Sequence, residues 1–88
     1  MVEELSLKTT QQRLARFLLM NGGDEKSVLG FTQEEIASQV GTVRDVISRL
    51  LNLFSREGLI KIERQHIILL EEKRLQEIMQ DDDMRLKS

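Results

Sequence analysis

The chain has no cysteine, no tryptophan and no tyrosine, and a single histidine, His66. Without thiols there can be no disulfide, thiolate metal site, iron–sulfur ligand or cysteine nucleophile, and one histidine cannot form a metal-binding cluster. Long apolar runs are missing too, since nothing approaches the ~20 residues that a membrane-spanning helix needs. The N-terminal MVEELSLKTT lacks the basic segment and apolar stretch of a secretory signal. A cytoplasmic location with no membrane association is the expectation. An excess of positive charge is also lacking: 13 basic against 15 acidic side chains give a formal charge of −2, the opposite of the footprint expected of a nucleic-acid binder. No paired nucleophile and base, metal cluster or phosphate-binding loop stands out, so neither catalysis nor a cofactor is expected.

What remains is a chain of 88 residues, 40% hydrophobic and 32% charged, the size and composition of one ordinary globular domain. A domain this small buries only roughly 60% of its unfolded surface, so modest stability is expected. The charge is unevenly spread. Residues 1–41 carry four basic and six acidic side chains, and residues 65–88 again four and six. Residues 42–64 hold Arg44, Arg49, Arg56, Lys61 and Arg64 against Asp45, Glu57 and Glu63, the net positive stretch of the chain.

Leu7, Leu14, Phe17 and Leu18 recur at helical spacing up to Asn21-Gly22-Gly23, which predicts a first helix and its stop. The following Gly-Gly-Asp-Glu-Lys-Ser is a loop, because a phosphate cradle would need an apolar strand before it and Gly-Lys-Ser/Thr after it. Val28, Leu29 and Phe31 are enough for a short edge strand. Thr32 and Glu35 then have capping-box spacing, with Phe31 and Ile36 at the positions of a hydrophobic staple. The helix that starts there turns Ile36, Ala37 and Val40 inward and stops at Gly41, which can adopt the left-handed conformation of a sharp turn. Thr42 reads as the next N-cap, with Asp45 in the first turn near the positive end of the helix dipole.

The helix predicted over residues 42–56, from Thr42 to Arg56, separates cleanly on a wheel of about 100° per residue. Val46, Ile47, Leu50, Leu53 and Phe54 share one broad apolar face, with Leu51 at its border. Opposite them lie Arg44, Asp45, Ser48, Arg49, Asn52, Ser55 and Arg56. Arginine can donate two parallel hydrogen bonds to a guanine edge, aspartate can accept from the cytosine amino group, and serine lets a helix approach closely. Each of these residues alone would equally suit a solvated helix face.

Gly58 ends that helix. Leu59-Ile60-Lys61-Ile62-Glu63, Arg64-Gln65-His66 and Ile67-Ile68-Leu69-Leu70 read as two strands around a tight polar turn. The tip of this hairpin offers Arg64, Gln65 or His66 to a phosphate, although a polar tip is ordinary whatever the function. A last helix over residues 71–80 turns Leu75, Ile78 and Met79 inward. Asp81-Asp82-Asp83 suits a solvated tail better than a metal site. The expected fold class is mainly α with a small β-hairpin wing, a winged helix-turn-helix. The domain spans residues 7–80, with residues 1–6 left from a preceding helix or linker and residues 81–88 a flexible acidic tail.

The stretch FTQEEIASQVGTVRDVISRLLNLFSREGLIKI resembles the DNA-binding domain of the Crp/Fnr family of bacterial transcription regulators, and the likeness covers residues 7 to about 78. Ala37 and Gly41 have the spacing of the helix-turn-helix. Gly41-Thr42, Arg44-Asp45, Ile47-Ser48-Arg49 and Glu57-Gly58-Leu59-Ile60 stand in the family's register. The resemblance implies base contacts from Arg44, Asp45 and Arg49, with Ser48 close to the bases, and phosphate contacts near Thr32, Thr42 and the wing. It implies double-stranded DNA with a palindromic operator of half-sites like TGTGA, a dimeric full-length parent of about two hundred residues, and RNA polymerase as a further partner. Two features depart from the family: Asp45 stands where glutamate is common, and the turn Arg64-Gln65-His66 lacks the usual glycine. The competing expectation is a winged helix that binds protein, which would suit the acidic total charge but would call for exposed apolar anchors on the outward helix face.

Overall fold

The computed structural model describes residues 2–22, 27–63 and 66–87, with side chains at residues 9–22, 28, 30–63 and 66–80. Helix α1 runs Val2–Gly22, strand β1 Ser27–Leu29, helix α2 Gln33–Val40 and helix α3 Arg44–Arg56. Strands β2 (Ile60–Ile62) and β3 (His66–Leu69) form a hairpin, and helix α4 (Glu72–Lys87) closes the chain. The winged helix-turn-helix expected from the sequence is the observed fold.

Local chemistry explains where α2 and α3 begin and end. Thr32 caps α2: its Oγ1 accepts the Glu35 N–H at 3.1 Å while the Glu35 carboxylate accepts the Thr32 N–H at 2.9 Å. The predicted capping box is therefore complete. At the other end Gly41 adopts φ +92°, and the Gly41 and Thr42 N–H groups both donate to the Ala37 carbonyl, at 2.8 and 2.9 Å. Helix α3 ends in a Schellman motif: Gly58 sits at φ +79°, its N–H donates to Ser55 O at 3.1 Å, and the Leu59 N–H donates to Phe54 O at 2.9 Å.

The start of α3 differs from the sequence reading. Its N-cap is Val43, in extended conformation and with no side-chain cap, not Thr42. The reason is the turn before it. Thr42 spends its N–H on Ala37 and so belongs to the C-terminal closure of α2, which shifts the first helical residue to Arg44.

The sheet has three antiparallel strands in the order β1-β3-β2. Ile60 faces Leu69 and Ile62 faces Ile67 across the hairpin, while Val28 of β1 faces Ile67 from the other side. The edge strand around Val28 is thus real, although Phe31 lies beyond it. The first wing strand, Ile60–Ile62, is shorter than the predicted Leu59–Glu63, and the second keeps four residues but starts one earlier, at His66, which the sequence reading put in the turn. Leu59 belongs to the helix cap, and Leu70, opposite it in the same register just past the end of β3, donates its N–H to Leu59 O at 2.9 Å.

One apolar core joins the elements. Leu14, Ala15 and Leu18 of α1, Ile36 of α2, Ile47 of α3 and Leu75 of α4 are each at most 1% exposed. Leu51, at the border of the wheel, belongs inside at 2% exposure. Phe17, Val46, Leu53, Ile78 and Met79 are partly buried against this core. No polar or charged residue is buried among the described residues. Helix α4 passes beyond the expected end at Gln80 and takes the backbone of Asp81, Asp82 and Asp83 into the helix. No proline or glycine follows Glu72 to interrupt its hydrogen-bond ladder. Residues 2–6 likewise continue α1 without a break.

Candidate nucleic-acid interface

Burial of one side of α3 decides what its other side presents. Ile47, Leu50, Leu51 and Phe54 are all 5% exposed or less, each contributing roughly 1.5–3 kcal/mol by area burial. Together they fix the rotation of the helix about its axis. With that rotation set, Arg44, Asp45, Arg49, Asn52 and Arg56 are exposed. Ser48 and Ser55 are half-buried on the flank, because Leu51, their neighbour on the wheel, has turned into the core. The predicted reading face is therefore narrower than the wheel suggested: Asp45 and Arg49 lie along its middle, and Arg44 is exposed at the first residue of the helix, on the Leu51 side of the wheel.

Asp45 and Arg49 form an ion pair, Oδ2 to Nη2 at 3.3 Å, with side chains 72% and 79% exposed. An exposed i,i+4 pair contributes only about 0.3–0.5 kcal/mol to stability, so its effect is chiefly on shape. It holds one edge of the Arg49 guanidinium against the carboxylate and leaves the other N–H donors facing outward. No carboxylate pairs with Arg44 among the described residues.

The backbone-contact candidates are placed differently. Thr32 is exposed at the start of α2. Its oxygen accepts from the Glu35 N–H, which leaves its hydroxyl proton available to donate outward. Thr42 is half-buried in the turn between α2 and α3. Arg64 and Gln65 lie outside the described residues. Next to them His66 is half-buried at the start of β3, and its carbonyl accepts the Glu63 N–H at 2.9 Å to close the hairpin. On the neighbouring strand Lys61 pairs with Glu63 at 3.4 Å.

Two neighbours of this surface escaped the sequence reading. Val43 is 61% exposed at the cap of α3, and only the shifted cap reveals it as part of the outward end of the helix. Arg13 of α1 reaches the α2–α3 turn from far away in sequence, and its Nη1 lies 3.5 Å from the Val40 carbonyl. No local spacing could have signalled that contact. Among the described residues no group of three or more His, Cys, Asp or Glu side chains is arranged to hold a metal ion, and no helix is long and apolar enough to cross a membrane.

Comparison with known proteins agrees with the geometry. The sequence pattern of the Crp-like helix-turn-helix domain matches residues 12–78. The transcriptional regulatory protein btr of Bordetella pertussis is 32% identical over 79 residues, covering 81% of this chain and 33% of that protein. The CRP-like cAMP-activated global transcriptional regulator of Mycobacterium tuberculosis is 32% identical over 68 residues, covering 77% of this chain and 30% of that protein. Among solved structures, the CO-dependent transcription factor CooA from Carboxydothermus hydrogenoformans superposes with a TM-score of 0.76 at 31% identity, over 89% of this chain and 40% of that one. The catabolite activator protein of Thermus thermophilus gives the same TM-score at 26% identity, over 89% and 37%. The chain thus spans about a third of the length of the relatives it matches. With the pattern matched from within α1 to within α4 and the fold superposing on regulators of this kind, the chain belongs to the family of Crp-like helix-turn-helix domains.

Proposed function

We propose that this domain binds double-stranded DNA sequence-specifically as the reading module of a bacterial transcription regulator, with α3 in the major groove. The observation that carries this reading is the outward face of α3. Arg44, Asp45 and Arg49 stand exposed on a helix whose opposite face is locked in the core. Arg44 and Arg49 donate to guanine edges, and Asp45 accepts from a cytosine amino group or orients Arg49. Ser48, on the flank, lets the helix approach closely. Thr32, Thr42, Arg64 and Gln65 fix the register through phosphates. A palindromic operator read by two copies in a full-length dimeric parent follows from two-fold symmetry, and RNA polymerase is the further partner that the family resemblance suggests. The protein-binding alternative needs apolar anchors on that same face. Among the described residues Val43 is the one large exposed hydrophobic side chain there, which favours DNA.

The test is fluorescence anisotropy of a labelled palindrome of TGTGA half-sites against a scrambled duplex, since the chain has no tryptophan or tyrosine to report binding. Wild type should prefer the palindrome, and Arg49→Ala should lose about 1–3 kcal/mol there and relax the preference at one base pair. Equal loss on both duplexes would remove Arg49 from the reading set. Absence of binding to any duplex, including pools selected from random DNA, would refute the proposal.

A further inference from the structure

None of the local sequence motifs singled out Arg13, yet the fold sets it beside the turn that leads into α3. The neighbouring Leu14 and Ala15 and the more distant Leu18 are fully buried, so the rotation of α1 is fixed and Arg13 must leave on the surface. Two contacts orient α1 along α2. Phe17 meets Phe31, just before α2, edge to face at 5.1 Å between ring centroids, and Arg13 meets Val40 at the far end. The guanidinium lies so close over the turn that a Cβ on Gly41 would come within 3.3 Å of its Nη1.

We propose that Arg13 is a DNA-backbone contact, a cation from α1 held over the α2–α3 turn so that a phosphate beside Thr42 meets it. The inference rests on the reading that the domain binds DNA. Three observations support it. The guanidinium has five N–H donors, and its one hydrogen-bond partner among the described residues is the neutral Val40 carbonyl at a long 3.5 Å. No carboxylate neutralises it among the described residues, whereas Arg49 and Lys61 are each paired with an acid. Gly41, over which it lies, is followed directly by Thr42, one Cα step of about 3.8 Å away, and Arg44 starts α3 two residues later. Arg13 thus adds an unneutralised cation from residues 1–41, which are net acidic, to the positive stretch around α3. In a chain of net charge −2, attraction to DNA depends on such local placement.

The alternative role is structural: Arg13 would simply cap the C-terminal carbonyls of α2. Salt dependence separates the two, because each phosphate contact adds roughly 0.9 to the slope of log K against log salt. Wild type, Arg13→Gln and Arg13→Lys are titrated by anisotropy on the palindrome and on the scrambled duplex across a salt series, with a thermal melt of each. Arg13→Gln, which removes the charge and keeps a polar side chain, should weaken both duplexes by a similar factor and leave their ratio unchanged. Its salt slope should fall by about 0.9, so that between about 50 and 200 mM salt wild type loses roughly three- to fourfold more affinity than the variant. Arg13→Lys keeps the charge and should keep the slope. An unchanged slope in Arg13→Gln, with or without a lower melting temperature, overturns the proposal, as does a changed ratio between duplexes. If wild type itself binds neither duplex, the DNA-binding reading fails first and this inference with it.

Discussion

Thr32 caps α2 and is proposed to meet a phosphate, and two substitutions pull these roles apart. Its Oγ1 accepts the Glu35 N–H at 3.1 Å, and its own N–H is held by the Glu35 carboxylate at 2.9 Å. Thr32→Ala removes the first bond and leaves an orphan amide in the first turn, a loss of about 1 kcal/mol for N-caps of this kind. In a domain of this size that is a fall in melting temperature of roughly 4–8 °C, readable by circular dichroism of the helices. Thr32→Asp keeps a cap at least as good, and its charge faces the positive end of the α2 dipole. It should therefore melt within about 0.5 kcal/mol of wild type. On DNA the order reverses. Asp places a negative charge where a phosphate is to sit and should weaken binding to palindrome and scrambled duplex alike, whereas Ala, once corrected for its unfolded fraction, loses only one hydrogen bond. If Asp destabilises as much as Ala, the capping argument is wrong. If Asp binds DNA as tightly as wild type, Thr32 is not at the phosphate backbone.

Other outcomes follow from the same geometry. Leu51→Ala, at a position 2% exposed, should cost about 2–5 kcal/mol in chemical denaturation, while Asn52→Ala beside it should stay within about 0.5 kcal/mol; equal costs would mean that α3 is rotated differently. Gly41→Ala forces a Cβ into a left-handed residue at φ +92° and should cost about 1–2 kcal/mol, measured by thermal melting, and a neutral result would show that the turn can relax. Asp45→Ala breaks an exposed ion pair and should change stability by no more than about 0.5 kcal/mol. In anisotropy it should strengthen binding to scrambled DNA, by removing a negative charge, and reduce preference for the palindrome; an unchanged preference would leave Asp45 with no part in reading.

Much of the architecture was legible because it is encoded locally. The Thr32/Glu35 capping box, the glycines at 41 and 58, the apolar stripe of α3 and the hairpin each depend on residues a few positions apart, and such signals survive folding unchanged. The sequence also determined which polar residues α3 turns outward, since Asp45, Arg49 and Arg56 fall opposite the apolar face in any helix over that stretch, with Arg44 beside its margin. Only the tertiary structure decided the rest. Leu51 became core and Ser48 half-buried because packing against the other elements fixed a rotation that the wheel leaves free by tens of degrees. The cap moved from Thr42 to Val43 because the Thr42 amide closes α2 on Ala37, a competition between adjacent helices that neither one's sequence announces. Arg13 arrived at the turn from 27 residues away, since side chains that share no local period meet only when two helices pack.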